Sequence, residues 1–365
     1  MGTLMCSRVH KVLLLGAGGL AALLAGRAMA QDSEARIDIS MSELRGTDRM
    51  FRTDSRWVGC ESAASVKLTD GRILWMFGES RIDPASSGVP ENAIRLHNSV
   101  ALQLGADPET AQLVHFWDES KRRPASFFKE GSGFWYRPVD ALEVGSALLI
   151  LLFKVRPGKG GVESEIAEWS VVRIVNPKES PARWRMQWLP TPANQFGAIL
   201  GFGGFSQIGG YVITGARIPD EPDELLLVRW SLRRIVRDDF MSPEWWVDGE
   251  GWTLQESLAD EPSPVTSNLA GSLALSWDHS LGRAVIVASL QDQPDELVVL
   301  QAPAPTGPWS DPEEVAELEF DSEFSSANVS LCKGLRPGET VVSAVPVPTG
   351  GSAAAFPRLY RLTTR

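Results

Sequence analysis

Histidine and cysteine, which build most metal centres and disulfide frameworks, are scarce: the 365-residue chain has four histidines and three cysteines. His97, His115 and His279 have no partner at metal-ligand spacing, so no metal site is expected. Phosphate loops, dinucleotide fingerprints and serine nucleophile elbows are missing as well, and no cofactor is expected. Past residue 40, no segment sustains an apolar i, i+3, i+4 pattern over three turns, which excludes a helical bundle. After the first thirty residues, no apolar run approaches the ~20 residues that a membrane-spanning helix needs.

Positive charge is also in deficit. Thirty-five Lys and Arg face 46 Asp and Glu, a formal net charge of −11. Such a surface repels nucleic acid and anionic lipid, so neither nucleic acid nor a membrane is an expected partner. Basic residues do gather at the start, where Arg8, His10 and Lys11 precede the apolar run Val12 to Gly26. Ala28-Met29-Ala30 then supplies a small-x-small cleavage pattern. The segment 1–30 reads as a signal peptide cut after Ala30, giving a secreted or periplasmic protein; an uncleaved signal anchor is the alternative. Cleavage removes three basic residues, Arg8, Lys11 and Arg27, and no acidic one, taking the charge from −11 to −14.

Short β-branched and aromatic runs punctuated by glycine are abundant. Five segments share one layout, a small-residue strand, a glycine turn and a strongly apolar strand. They are Ser62 to Phe77, Asp140 to Phe153, Gly203 to Gly215, Gly271 to Ala288 and Ala327 to Ala344, turning at Gly71, Gly145, Gly209-Gly210, Gly282 and Gly338. Further strand candidates follow at Leu96 to Leu104, Ala167 to Ile174, Glu224 to Leu232, Glu296 to Gln301 and Pro357 to Leu362. The expected fold is all-β: an N-terminal segment 31–54, then one five-bladed β-propeller over 55–365, with four-stranded antiparallel blades around a central channel. A pair of irregular β-sandwiches is the alternative. The runs ILWMF and LLILLF do not alternate, as expected of strands buried on both faces. Ala63, Ala64, Gly203 and Ala327 are expected where inner strands crowd the axis. Trp245, Trp246 and Trp252 fall in a loop-like stretch, EWWVDGEGW, and are expected to fill gaps between blades more than to stack on sugars.

The stretch Trp57 to Ser80, WVGCESAASVKLTDGRILWMFGES, resembles the opening blade of secreted bacterial five-bladed propellers related to arabinanases and levansucrases. FWYRPVDALEVGSALLILLF (134–153) is similar to their second blade, GGYVITG (209–215) to the third, and GPWSDP (307–312) to the turn closing the fourth. The resemblance spans roughly residues 55 to 345, and its nearest members include domains of unknown function. It implies a glycosidase-like enzyme, or a non-catalytic glycan- or protein-binding propeller, acting as a monomer on a carbohydrate ligand.

Such enzymes place three carboxylates around the channel mouth, because glycosidic cleavage needs one ionised and one protonated group. By resemblance Glu61 takes the first-blade acid position, with Glu where the pattern has Asp. Asp140 takes the second, with Ala141 replacing the usual Gly. These two are the candidate catalytic residues, and Trp57, Asn98 and Trp135 are the candidate substrate-binding ones. An extra methylene at Glu61 moves its carboxylate by about 1 Å, a displacement that can cost about a hundredfold in rate. No third acid stands in the later inner strands; Glu323 lies just before the last. Glu79 is expected to be structural. A thiol nucleophile, Cys60 paired with His97, has no local support. Aligning SVKL (65–68) with NVSL (328–331) puts Cys332 opposite Thr69, nine residues from Cys60 and far beyond disulfide reach, so two free thiols are expected.

Overall fold

The chain reverses at the glycine turns. Gly71, Gly145, Gly209, Gly210, Gly282 and Gly338 all have positive φ, between 55° and 90°, a region glycine enters without strain. A β-carbon at any of them would meet nothing within 4 Å, so backbone conformation, and not crowding, requires glycine there. In the computed structural model the described residues are 37–87, 93–120, 122–158, 164–318, 324–348 and 355–364. The cleavage site at Ala30 and the acid Glu323 lie outside them.

These turns join Ser62–Lys67 to Ile73–Ile82, Trp135–Val144 to Ala147–Pro157, Ile199–Ile208 to Tyr211–Ile218, Leu269–Asp278 to Arg283–Leu290, and Phe324–Leu331 to Val341–Pro348. Each hairpin adds a third antiparallel strand, respectively Ile94–Leu104, Ser164–Ile174, Glu221–Ser231, Glu296–Ala302 and Arg358–Thr364. Outer strands follow at Gln112–Phe116, Met186–Leu189, Glu244–Val247 and Glu313–Glu317. The last sheet takes its outer strand, Ile39–Glu43, from the segment that sequence set before the propeller. Two single-turn helices, Asp48–Phe51 and Leu232–Ile235, interrupt the β-structure.

First strands of successive hairpins run side by side. A single parallel bridge, Gly203 to Ala274, joins two antiparallel runs into one nine-stranded sheet. Gly203 fits this approach, since a β-carbon there would strike Leu275 and Leu273. Ala63 and Ala64 are likewise buried, whereas Ala327 is half-buried. A second parallel bridge, Ser65 to Cys332, joins the first and last hairpins. Cys332 therefore stands opposite Ser65 and not Thr69, four residues nearer Cys60 than the sequence alignment placed it. The five residues left still span about 16 Å of strand, and both cysteines are unbridged and buried.

Side chains reinforce these seams. Val329 N–H donates to Ser272 Oγ at 2.7 Å, and Asn328 Nδ2 donates to the Glu61 carbonyl at 2.8 Å. Glu143 accepts from both the amide and the hydroxyl of Thr69, at 2.6 and 2.7 Å. Between the sheets lie the continuous apolar runs: every residue from Ile73 to Phe77 and from Leu148 to Phe153 is buried. Trp245 is buried, and Trp246 faces Trp252 across a hairpin of Glu244–Val247 and Gly251–Leu254, rings 5.7 Å apart. The stretch read as a loop is thus a strand pair, closed by one of the cross-strand aromatic contacts that stabilise sheets.

Candidate active site

A cavity of about 760 Å³ opens where the first strands converge, taking Ser62, Asp140, Gly204, Ser272 and Asn328 from different hairpins. Its size suits a small ligand. A β-bulge between Pro138 and Asp140 sets the Asp140 side chain, the kind of irregularity that re-aims a residue at a site. Asp140 is 1% exposed and fully engaged. One oxygen accepts from its neighbour's amide, Ala141 N–H, at 2.7 Å, and the other from Phe205 N–H at 2.6 Å. That second amide comes close because Gly204 has φ +76° and no β-carbon, which would otherwise collide with the Asp140 carboxyl.

Asp140 also forms an ion pair with Lys333, whose ammonium donates to the Phe205 carbonyl at 2.6 Å. Burial pushes the Asp140 pKa up, and the Lys333 charge and the two amides offset part of that rise. Lys333 was missed from sequence. It follows Cys332 directly, but its partner lies 193 residues away, and no local pattern signals such a pair.

Glu61 directly precedes Ser62, a residue of the cavity wall; its side chain is 22% exposed and 3.6 Å from Arg95. Arg95 also pairs with Glu79, a nearly buried carboxylate 3.5 Å from His97 Nδ1. Burial alone would raise the Glu79 pKa. The neighbouring His97 ring, the Arg95 hydrogen bond and the charges of Arg95 and Arg137 outweigh it and lower the value to about 2. Glu79 has φ +26°, rare for a residue with a side chain and a form of strain that clusters at functional sites. Glu79, expected to be structural, anchors a charged network that includes Arg95 and the cavity residue Arg137.

Trp135 belongs to this group, its ring stacked on His97 at 4.3 Å and 15°. Trp57 and Asn98 do not. Trp57 is 1% exposed, packed between His115 and Phe77, each 4.8 Å away, so it is a core residue with no face for a sugar. Asn98 is fully buried: its carbonyl accepts from Phe128 N–H at 2.7 Å, and its amide donates to the Tyr136 carbonyl at 2.8 Å. It stitches one sheet to the next and lines no channel. Among the described residues, no group of three or more His, Cys, Asp or Glu is placed to hold a metal ion.

Solved structures share this architecture. A candidate hydrolase of Bacteroides ovatus aligns at TM-score 0.67 and 14% identity, over 89% of this chain and 90% of that one. The catalytic domain of the Coprinopsis cinerea GH62 α-L-arabinofuranosidase aligns at 0.51 and 9% identity, over 90% and 97%. A Dyadobacter fermentans protein of unknown function aligns at 0.50 and 10%, over 89% and 100%. At such identities the likeness shows the fold alone, an all-β fold of the propeller glycosidase kind. No curated protein matches the sequence. A family model described as a domain of unknown function, DUF5005, matches residues 46–358.

Proposed function

The chain belongs to the DUF5005 family, and we propose that it is an exported, five-bladed, closed propeller that cleaves glycosidic bonds at the cavity formed by its first strands. One observation carries the reading: Asp140 lines the cavity wall and Glu61 directly precedes another wall residue, Ser62, two carboxyl groups in unlike surroundings on a fold shared with an arabinofuranosidase catalytic domain. Burial raises the pKa of Asp140, the direction a proton donor requires, against the opposing pull of Lys333 and two amides, while Glu61 is partly solvated beside Arg95. Unlike environments for two acids are what hydrolysis of an acetal requires. The parallel bridges at Gly203–Ala274 and Ser65–Cys332 support blades arranged around one axis and closed first to last.

A second reading has its own observation. Both Asp140 oxygens are already occupied by Lys333 and two amides, which is the state of a structural carboxylate and suits a propeller that binds glycan without cleaving it. The test is a screen of the purified protein on arabinan, xylan, fructan and other wall oligosaccharides, scored for both turnover and binding. Turnover abolished by Glu61→Gln and by Asp140→Asn, with folding retained, is the expected result. Binding that survives both changes, with no turnover on any glycan, establishes the second reading and ends the first.

A further inference from the structure

The strongest unused feature of the cavity is its arginines. Arg217, in the strand Tyr211–Ile218, is only 5% exposed yet lines the cavity wall. Its guanidinium donates to the carbonyls of Gly271 at 2.8 Å and Ala270 at 3.4 Å, and it packs 4.9 Å over the Phe202 ring. Its buried Nε has no hydrogen-bond partner, and no carboxylate among the described residues lies within ion-pair distance. Asp223 contributes only a more distant attraction, and burial lowers the Arg217 pKa to about 10. A buried cation without a paired anion is costly to maintain, and an oxyanion from a ligand would offset that cost.

The rest of the wall leaves that charge uncancelled. Glu165 is taken by Arg156 at 2.5 Å, and Asp140 by Lys333. Arg137 shares the field of Glu79 with Arg95 and His97. Of the charged residues that line the cavity, three are arginines and two are acids, and both acids are already paired. A neutral pentose or hexose gives such a wall nothing to neutralise.

We infer that the cavity takes an anionic saccharide, whose carboxylate or sulfate group is held by Arg217 with Arg137 as the second cationic contact. This rests on the carbohydrate reading above and narrows it to acidic glycans. Arg is the suited residue because its planar fork meets an oxyanion with two donors at once.

Calorimetric titration with three probes of equal length tests it: trigalacturonate, the same trisaccharide with its carboxyl groups reduced to alcohols, and a sulfated neutral trisaccharide. Short probes limit repulsion from the acidic surface, which is screened beyond about 8–10 Å at moderate salt. Trigalacturonate or the sulfated probe should bind about 10- to 100-fold more tightly than the reduced one, the range for a hydrogen bond to a charged group. Which of the two anions binds identifies the oxyanion. Arg217→Gln should remove the preference, bringing the acidic probes to the affinity of the reduced one. If that variant does not fold, Arg137→Gln should reduce the same preference. Equal binding of acidic and reduced probes overturns the inference and leaves the carbohydrate reading standing. Preference intact in a folded Arg217→Gln protein overturns it also. Absence of binding and turnover with every glycan overturns both.

Discussion

Replacing Lys333 with methionine keeps most of the side-chain volume and removes the one cation paired with Asp140. What remains is a carboxyl group 1% exposed, held by two amide donors at 2.6 and 2.7 Å. Leaving one member of a buried pair uncompensated costs about 3–5 kcal/mol. The two amides and the partial solvent access of Lys333, 23% exposed, put the expected loss at the low end, about 3 kcal/mol. The sign of the pH dependence follows from Asp140. Its folded pKa is already raised above the unfolded value, and losing Lys333 raises it further, because the lysine charge favours the ionised form. A group with a raised folded pKa contributes most below its unfolded pKa and loses that contribution as pH rises through the folded one. The deficit of Lys333→Met should therefore be largest near pH 7 and shrink as the solution is acidified, vanishing below about pH 3, where the carboxyl is protonated in folded and unfolded states alike. Urea unfolding at a series of pH values measures it. The double variant Lys333→Met with Asp140→Asn should recover part of the loss. A single variant within about 1 kcal/mol of the parent at pH 7, or a deficit that does not change with pH, refutes the account of this pair.

Two further outcomes follow from the same structure. The Glu79 pKa is depressed to about 2, so its contribution to stability is present above the unfolded value and is lost as pH falls from about 4.5 toward 2. In Glu79→Gln, acid unfolding over that window should flatten, with neutral-pH stability reduced by an amount on the order of 2–3 kcal/mol; an unchanged acid transition argues against the network. Burial pushes the Cys332 thiol up to about 12 and raises Cys60 well above its ordinary value. Peptide-resolved labelling at pH 8 should leave both unmodified in the folded protein and modify both in urea; rapid labelling of either under native conditions contradicts their burial.

The hairpins were legible because their determinants are local. A glycine that must take positive φ sits between two apolar runs, and both signals lie within about fifteen residues of each other. The site was legible only in part. Of the candidates offered by resemblance, Asp140 lines the cavity, whereas Trp57 and Asn98, taken for ligand contacts, are a core ring and an inter-sheet stitch. An aromatic or amide near a strand end looks the same in sequence whether it faces a cavity or the next sheet. Lys333, Arg217 and the importance of Glu79 were not legible at all. Each acts through partners brought near by the packing of sheets, and the four-residue error in the Cys332 register shows how loosely sequence fixes that packing.

The outer strand of the last sheet has a consequence for timing. Ile39–Glu43 pairs with Arg358–Thr364, and Ser40 bonds to Thr363 across 323 residues of chain. Among the described residues, no other sheet depends on so distant a partner. During synthesis the early hairpins can form as soon as they emerge, but this sheet stays one strand short until the final strand has been made. The edge presented by Ile39–Glu43 must stay unpaired throughout, and an unpaired edge is a template for other chains. Contacts of such high sequence separation also form slowly. The interval in which this protein is most exposed to misassembly is therefore set by the delay between the emergence of its first strand and that of its last, wherever the chain folds.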